Sequence, residues 1–100
     1  LLGCGGIGLS AINGAACAGA SRVIAIDTIS SQLDIAREMG ATDIINASNV
    51  DAVEAVKDLT GGGVHYSFEA IGAKKTAEQS FQMLRPGGLA TIIGMVSPGA

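Results

Sequence analysis

Tryptophan is absent from this 100-residue chain, and aromatic residues amount to only 3%. Hydrophobic residues nevertheless make up 48%, so the core must be aliphatic, assembled from Ile, Val, Leu and Ala. That suits a parallel sheet covered by helices on both faces, whose strands are apolar runs rather than alternating ones. Histidine occurs once, as His65, and cysteine twice, as Cys4 and Cys17. Neither cysteine belongs to a Cys-x-x-Cys pair, which excludes a four-ligand zinc site and leaves two reduced thiols in an intracellular protein as the expectation. Positive charge is sparse: six Lys and Arg against nine Asp and Glu give a net charge of −3. Scattered in this way, the cations supply no footprint for nucleic acid or an anionic membrane. No apolar run approaches the ~18 residues of a transmembrane helix. With no signal peptide visible either, the expected location is cytoplasmic.

Glycine, by contrast, is abundant, and its placement at the start of the chain is informative. Gly3-Cys4-Gly5-Gly6-Ile7-Gly8 contains Gly-x-Gly-x-x-Gly at Gly3, Gly5 and Gly8. The first glycine permits a sharp turn out of a strand. The second lets the backbone approach a pyrophosphate, and the third lets the next helix pack closely on the sheet. A helix opening there would aim unpaired N–H groups at an anion. With 15 glycines in the chain, a ligand-free glycine turn would explain the motif taken alone. Its surroundings add weight. Leu9, Ile12, Ala16 and Ala20 follow at helical spacing, and the first helix is expected from about Gly6 to Ala18. Val23 to Ile26 then forms an apolar strand ending on Asp27, 19 residues after Gly8. That matches the ~20-residue offset of a carboxylate that accepts from the adenosine ribose hydroxyls.

The rest of the chain continues the alternation. Ser30 or Ser31 is expected to cap a second helix, Ser31 pairing with Asp34 as a capping box, with Leu33, Ala36 and Met39 facing inward and Gly40 ending it. Asp43 to Ile45 is a short third strand. A helix starting near Ser48 or Asp51 carries Val53, Val56 and Leu59 inward and stops at Thr60-Gly61-Gly62-Gly63. Val64 to Glu69 is a fourth strand, and Ala70-Ile71-Gly72 its exit turn. The next helix runs from Lys74 to Leu84 with Ala77, Phe81 and Leu84 inward, Arg85-Pro86-Gly87-Gly88 is a stop and turn, and Leu89 to Ile93 is a fifth strand. The fold class is therefore α/β, a doubly wound parallel sheet of about five strands in the order 3-2-1-4-5, with right-handed crossovers. Its ligand crevice lies at the carboxyl ends of the strands, where the glycine turn, Asp27, Ile71-Gly72 and Ile93-Gly94-Met95 converge.

These segments carry a family resemblance. The glycine motif, Asp27, Gly40-Ala41-Thr42-Asp43, Ser67 to Gly72 and Arg85-Pro86-Gly87-Gly88 together resemble the coenzyme-binding domain of zinc-type medium-chain alcohol dehydrogenases, with a lean towards the thiol-dependent formaldehyde dehydrogenases. The resemblance covers the whole chain and implies a Rossmann-type domain binding NAD. It implies that Gly5, Gly6 and Ile7 contact the pyrophosphate, Asp27 the adenosine ribose, Thr28 and Ile71 the adenine, and Ile93 and Met95 the nicotinamide. Gly3, Gly8, Gln32, Gly72 and Gly94 complete the expected cofactor-binding set. Gln32 stands where many members have a basic residue, and Ala73 where some have Arg. The resemblance places the zinc ligands, the proton relay and most of the substrate pocket in another domain. Residues 1–100 are then expected to be one dinucleotide-binding piece of a longer homo-oligomeric enzyme, a dimer or tetramer acting on a small alcohol or aldehyde, with no catalytic residue and no metal ligand of its own.

A carboxylate at the end of the second strand repels a 2′-phosphate, and Thr28 to Ser31 offer no Arg to bind one, which favours NAD over NADP. Two other functions use similar elements: an NAD-sensing regulatory domain, and an S-adenosylmethionine-dependent methyltransferase, which fits the position of Gly8 less well. Among single residues, His65 is expected at the surface and Met83 in packing. Glu69 serves either a cofactor hydroxyl or the turn at Gly72, and Lys74 and Lys75 read as a solvated pair.

Overall fold

The structure is a computed structural model, described over residues 2–3, 6–19, 22–71 and 74–92, the side chains of residues 6, 7 and 92 excepted. Among the described residues four helices and four strands alternate: α1 (Gly6–Cys17), β1 (Ile24–Asp27), α2 (Ser30–Glu38), β2 (Asp43–Asn46), α3 (Ala52–Thr60), β3 (Val64–Glu69), α4 (Lys74–Gln82) and β4 (Leu84–Ile92). β1 and β2 pair in parallel with Ile26 opposite Ile45 and Asp27 opposite Asn46. β3 and β4 form a second parallel pair. Leu2 joins them as a single bridging residue, parallel to Ile26 on one side and Glu69 on the other. The resulting order, β2-β1-Leu2-β3-β4, is the expected 3-2-1-4-5 arrangement with the first strand represented by Leu2.

Side-chain alternation divides β1 between two cores. Ile24 and Ile26 join Leu2, Ile45, Ala52, Val56 and Met83 on one face. Val23 and Ala25 join Ile12, Leu33, Ala36 and Ala41 on the other. The strand is thus buried on both sides, which its uninterrupted aliphatic sequence requires. α3 shows clear terminal chemistry: the Asp51 carboxylate accepts from the Glu54 N–H at 3.1 Å, and Gly61 closes the helix in the left-handed region at φ +67°.

Several expectations need correction. α2 has Ile29 at its N-cap with no side-chain cap bond, so neither Ser30 nor the Ser31–Asp34 pair caps it. The carboxylate serving this turn is Asp27, as set out below. Met39, Leu59 and Phe81 were expected inside but are 40%, 41% and 60% exposed. Leu33, Ala36 and Val56 are buried as expected, but each helix is short and its inner face is narrower than expected, centred on Leu33 and Ala36, on Ala52 and Val56, and on Ser80. The buried Ser80 hydroxyl is satisfied by donating to the Ala77 carbonyl at 2.6 Å, while the Ser80 carbonyl accepts from Ser67 Oγ at 2.6 Å. α4 ends at Gln82, so Leu84 belongs to β4 rather than to the helix.

Arg85 to Gly88 does not separate helix from strand. β4 starts at Leu84, opposite Val64, and resumes pairing at Leu89, opposite Tyr66, so these residues form a bulge within the strand. A bulge accommodates Pro86, which cannot donate to a ladder, and Gly87 at φ +82°. Arg85 turns back from the bulge and donates through Nε and Nη2 to the Gly63 carbonyl at 3.1 and 2.9 Å. Among the described residues β4 has one neighbouring strand, β3, and no helix is long and apolar enough to cross a membrane.

Candidate functional site

The carboxyl ends of the strands meet around Leu2 and Gly3. Leu2 donates to the Phe68 carbonyl at 2.8 Å, and its own carbonyl accepts from the Ala70 N–H at 2.9 Å. Gly3 donates to the Ile26 carbonyl at 2.8 Å. The glycine turn therefore leaves the sheet between the exits of β1 and β3. Gly3 takes φ +95°, a conformation that L side chains rarely adopt. A Cβ placed on it would lie 2.5 Å from Ile71 Cγ1. Both facts make glycine necessary here. α1 begins at Gly6, so Gly6, Ile7 and Gly8 form its first turn, with Gly8 buried. The amino end of α1 thus faces the rim at which β1 and β3 end.

Asp27 closes β1 at the same rim. Its Oδ1 accepts from the Thr28 and Ile29 N–H groups at 2.7 and 3.1 Å, which folds the strand exit into an Asx turn. Thr28 is exposed, and Ile71 is 52% exposed on the other side of Gly3. Gln32 lies in the first turn of α2, half-buried. Gly5, Gly72, Ile93, Gly94 and Met95 lie outside the described residues. The side chain of Glu69 is fully buried, and its Oε1 accepts from the Ile71 N–H, so this carboxylate holds the turn. His65 is exposed and Met83 is buried, as expected of a surface residue and a packing residue.

A pocket of about 280 Å³ adjoins Thr28 and is lined by Ala47, Val50, Asp51, Lys75, Thr76 and Gln79 among others. It lies between the β1 exit and the amino-terminal ends of α3 and α4. A larger cavity of about 810 Å³ runs along the sheet between β1 and β3, from Arg22, Thr60 and Val64 at their amino ends to Leu2, Ile26 and Phe68 next to Gly3. Its walls are mostly core side chains, whereas the smaller pocket opens beside the β1 exit through Thr28.

Sequence reasoning passed over Asn46. Its Nδ2 donates to Ser30 Oγ at 3.2 Å, while its Oδ1 accepts from the Ser48 N–H at 3.0 Å and from the Ser48 hydroxyl. The available signal was an Asn ending a predicted strand, where side chains of this type organise the exit turn.

Residues 6–100 match the family model for zinc-binding dehydrogenases. The chain belongs to this family. It is 48% identical over 94 residues to an alcohol dehydrogenase of Cupriavidus necator, covering 93% of the chain and 26% of that protein. It is 43% identical over 101 residues to a probable S-(hydroxymethyl)glutathione dehydrogenase of Schizosaccharomyces pombe, covering 99% of the chain and 27% of the relative. A solved structure from Sinorhizobium meliloti 1021, described as a zinc-binding dehydrogenase bound to NADP, superposes with a TM-score of 0.95 at 35% identity, covering 99% of the chain and 30% of that one. The chain spans about a quarter of the length of the curated relatives it matches. The Rossmann-type doubly wound reading and the alcohol dehydrogenase resemblance both hold.

The residues present fit a dinucleotide. A positive-φ glycine with no room for a Cβ leads towards a helix amino end, and a carboxylate stands at the neighbouring strand exit. Zinc has no comparable cradle: among the described residues no group of three or more His, Cys, Asp or Glu could hold a metal ion.

Proposed function

We propose that the chain is the NAD-binding module of a zinc-dependent alcohol or aldehyde oxidoreductase. The observation that carries this reading is the meeting of Gly3, the amino end of α1, Asp27 and Ile71 at one rim of the sheet. The N–H groups that open α1 supply donors for a pyrophosphate. Asp27 accepts from the adenosine ribose, and Thr28 and Ile71 stand on either side of the space for adenine. NAD, when bound, supplies the hydride-accepting carbon, and this chain supplies its seat and orientation.

Asp27 decides between the two nicotinamide cofactors. At ~4 Å two unit charges repel by roughly 1 kcal/mol in water and roughly 4 kcal/mol at an effective dielectric constant near 20. That is about one to three powers of ten in affinity against a 2′-phosphate. On that ground this chain prefers NAD, although the Sinorhizobium meliloti neighbour is bound to NADP. Zinc and its ligands belong to a separate domain of the parent enzyme, which is a cytoplasmic homo-oligomer acting on a small alcohol or aldehyde.

Calorimetric titration of the folded chain with NADH, NADPH and S-adenosylmethionine tests the proposal. NADH binding, weaker with NADPH and lost in Asp27→Ala, is the expected result. Binding of S-adenosylmethionine in place of NADH would overturn it, as would a folded chain that prefers NADPH.

A further inference from the structure

We propose that Asn46 is a positioning residue for the adenosine half of the cofactor, setting both the affinity for that half and the margin by which NADH is preferred to NADPH. The inference rests on the NAD reading above and deepens it.

The observation is a bridge between two loops that border the same space. Asn46 ends β2 directly opposite Asp27 in the ladder, and the Ala47 N–H donates to the Asp27 carbonyl at 3.0 Å. From this position its side chain reaches two ways. The amide nitrogen donates to Ser30 Oγ at 3.2 Å, and Ser30 is the first residue of α2. The amide oxygen accepts from both the N–H and the hydroxyl of Ser48 in the loop after β2. Thr28 on the first loop and Ala47, Val50 and Asp51 on the second line the pocket of about 280 Å³ beside the β1 exit. One side chain therefore ties together two walls of that pocket.

The exit turn of β1 is consequently fixed at both ends. Asp27 Oδ1 holds the Thr28 and Ile29 N–H groups at its start, and Asn46 holds Ser30 at its finish. The backbone of the far end is held by α2, whose Gln32 and Leu33 N–H groups donate to the Ile29 carbonyl at 3.1 and 3.3 Å, and the Asn46 bond adds a side-chain tie from that helix start to the end of β2. With Ser30 tethered, Asp27 and Thr28 are held in place beside the pocket. Rigidity of this kind matters most where a charge must stand close to one ligand and repel another, since both effects fall with distance.

The test compares Asn46→Ala, Ser30→Ala and the double variant with the wild-type chain, using NADH, NADPH and ADP-ribose as titrants. Ser30 is exposed, so its truncation leaves the fold intact even if the Asn46 variant proves fragile. Each single variant is expected to weaken NADH and ADP-ribose alike, by roughly three- to ten-fold, the range for losing one hydrogen bond. The ratio of NADPH to NADH dissociation constants should narrow by a similar factor, a change that a general loss of stability does not produce. The double variant should be no weaker than the stronger of the two singles, because both cut the same link. Unchanged NADH affinity and cofactor ratio in Ser30→Ala and Asn46→Ala would overturn the proposal, as would strictly additive losses. Failure of the wild-type chain to bind NADH would sink the NAD reading itself, an outcome distinct from wild-type binding that the variants leave unmoved.

Discussion

Gly3 and Ile71 stand so close that a Cβ on the glycine would meet Ile71 Cγ1 at 2.5 Å. Gly3 opens the glycine turn and Ile71 belongs to the exit of β3, so the contact joins two halves of the candidate site. In Gly3→Ala the positive φ would cost roughly 1–3 kcal/mol. The contact could be relieved by rotating Ile71, which would carry its side chain into the space proposed for adenine. We therefore expect a stability loss in that range by urea unfolding, together with a drop in NADH affinity of at least ten-fold. Retained affinity in the variant would separate Ile71 from the site.

Asp27 performs two tasks that a conservative substitution separates. Its Oδ1 accepts the Thr28 and Ile29 N–H groups, and its charge selects against a 2′-phosphate. Asn keeps the acceptor and removes the charge. Asp27→Asn should leave the unfolding midpoint near that of the wild type, improve NADPH binding by about ten-fold, and weaken NADH by a few-fold. Paired titrations with both cofactors measure this directly. Unimproved NADPH binding would show that something other than charge sets the preference.

Glu69 was legible as a carboxylate at a strand end, and the sequence could not decide between a cofactor hydroxyl and the turn as its partner. Burial decides it: the side chain is fully enclosed, and Oε1 accepts from the Ile71 N–H. Glu69→Ala should cost about 1–3 kcal/mol by leaving that N–H unsatisfied. Glu69→Gln retains an acceptor oxygen and should cost less. Thermal unfolding of the pair provides the comparison, and equal losses would contradict the assigned role.

Gly63 is the most constrained glycine on the far side of the fold. Its φ is +122°, and a Cβ would lie 2.6–2.7 Å from Arg85 N, Leu84 C and Met83 O. All three are backbone atoms of the segment that opens β4, so they cannot step aside as a side-chain tip can. Gly63→Ala should cost roughly 3 kcal/mol, combining backbone strain with overpacking. Gly61 has φ +67° with no atom within 4 Å of a Cβ. Its alanine variant should lose only about 1–2 kcal/mol. Denaturant midpoints for the two variants rank them.

The sequence displayed the site's frame better than its walls. Glycine at three fixed spacings, a helix directly after, and an acid ending the next aliphatic run are demands of the backbone and of charge, so they are readable one residue at a time. Asn46 was not, because an Asn after a strand has many possible partners and only the fold brings Ser30 and Ser48 within its reach. Leu33, Ala36 and Val56 were legible as inner-face residues, whereas Met39, Leu59 and Phe81 were misplaced for a related reason. In a nine-residue helix, neighbouring elements decide which positions are covered, and α4 meets β3 at Ser80, whose carbonyl accepts from Ser67 Oγ, rather than at Phe81, a contact that periodicity does not encode. Arg85-Pro86-Gly87-Gly88 misled because breaker residues serve a bulge as well as a turn.

Leu2 bridges two strand pairs, each with its own ladder and its own helices. The glycine turn departs from Leu2, so a nucleotide seated on it spans both pairs, with Asp27 on one and Ile71 on the other. Ligand binding would then draw on both ladders at once, slowing amide exchange at Gly3 and Ala70, whose N–H groups bond across this line.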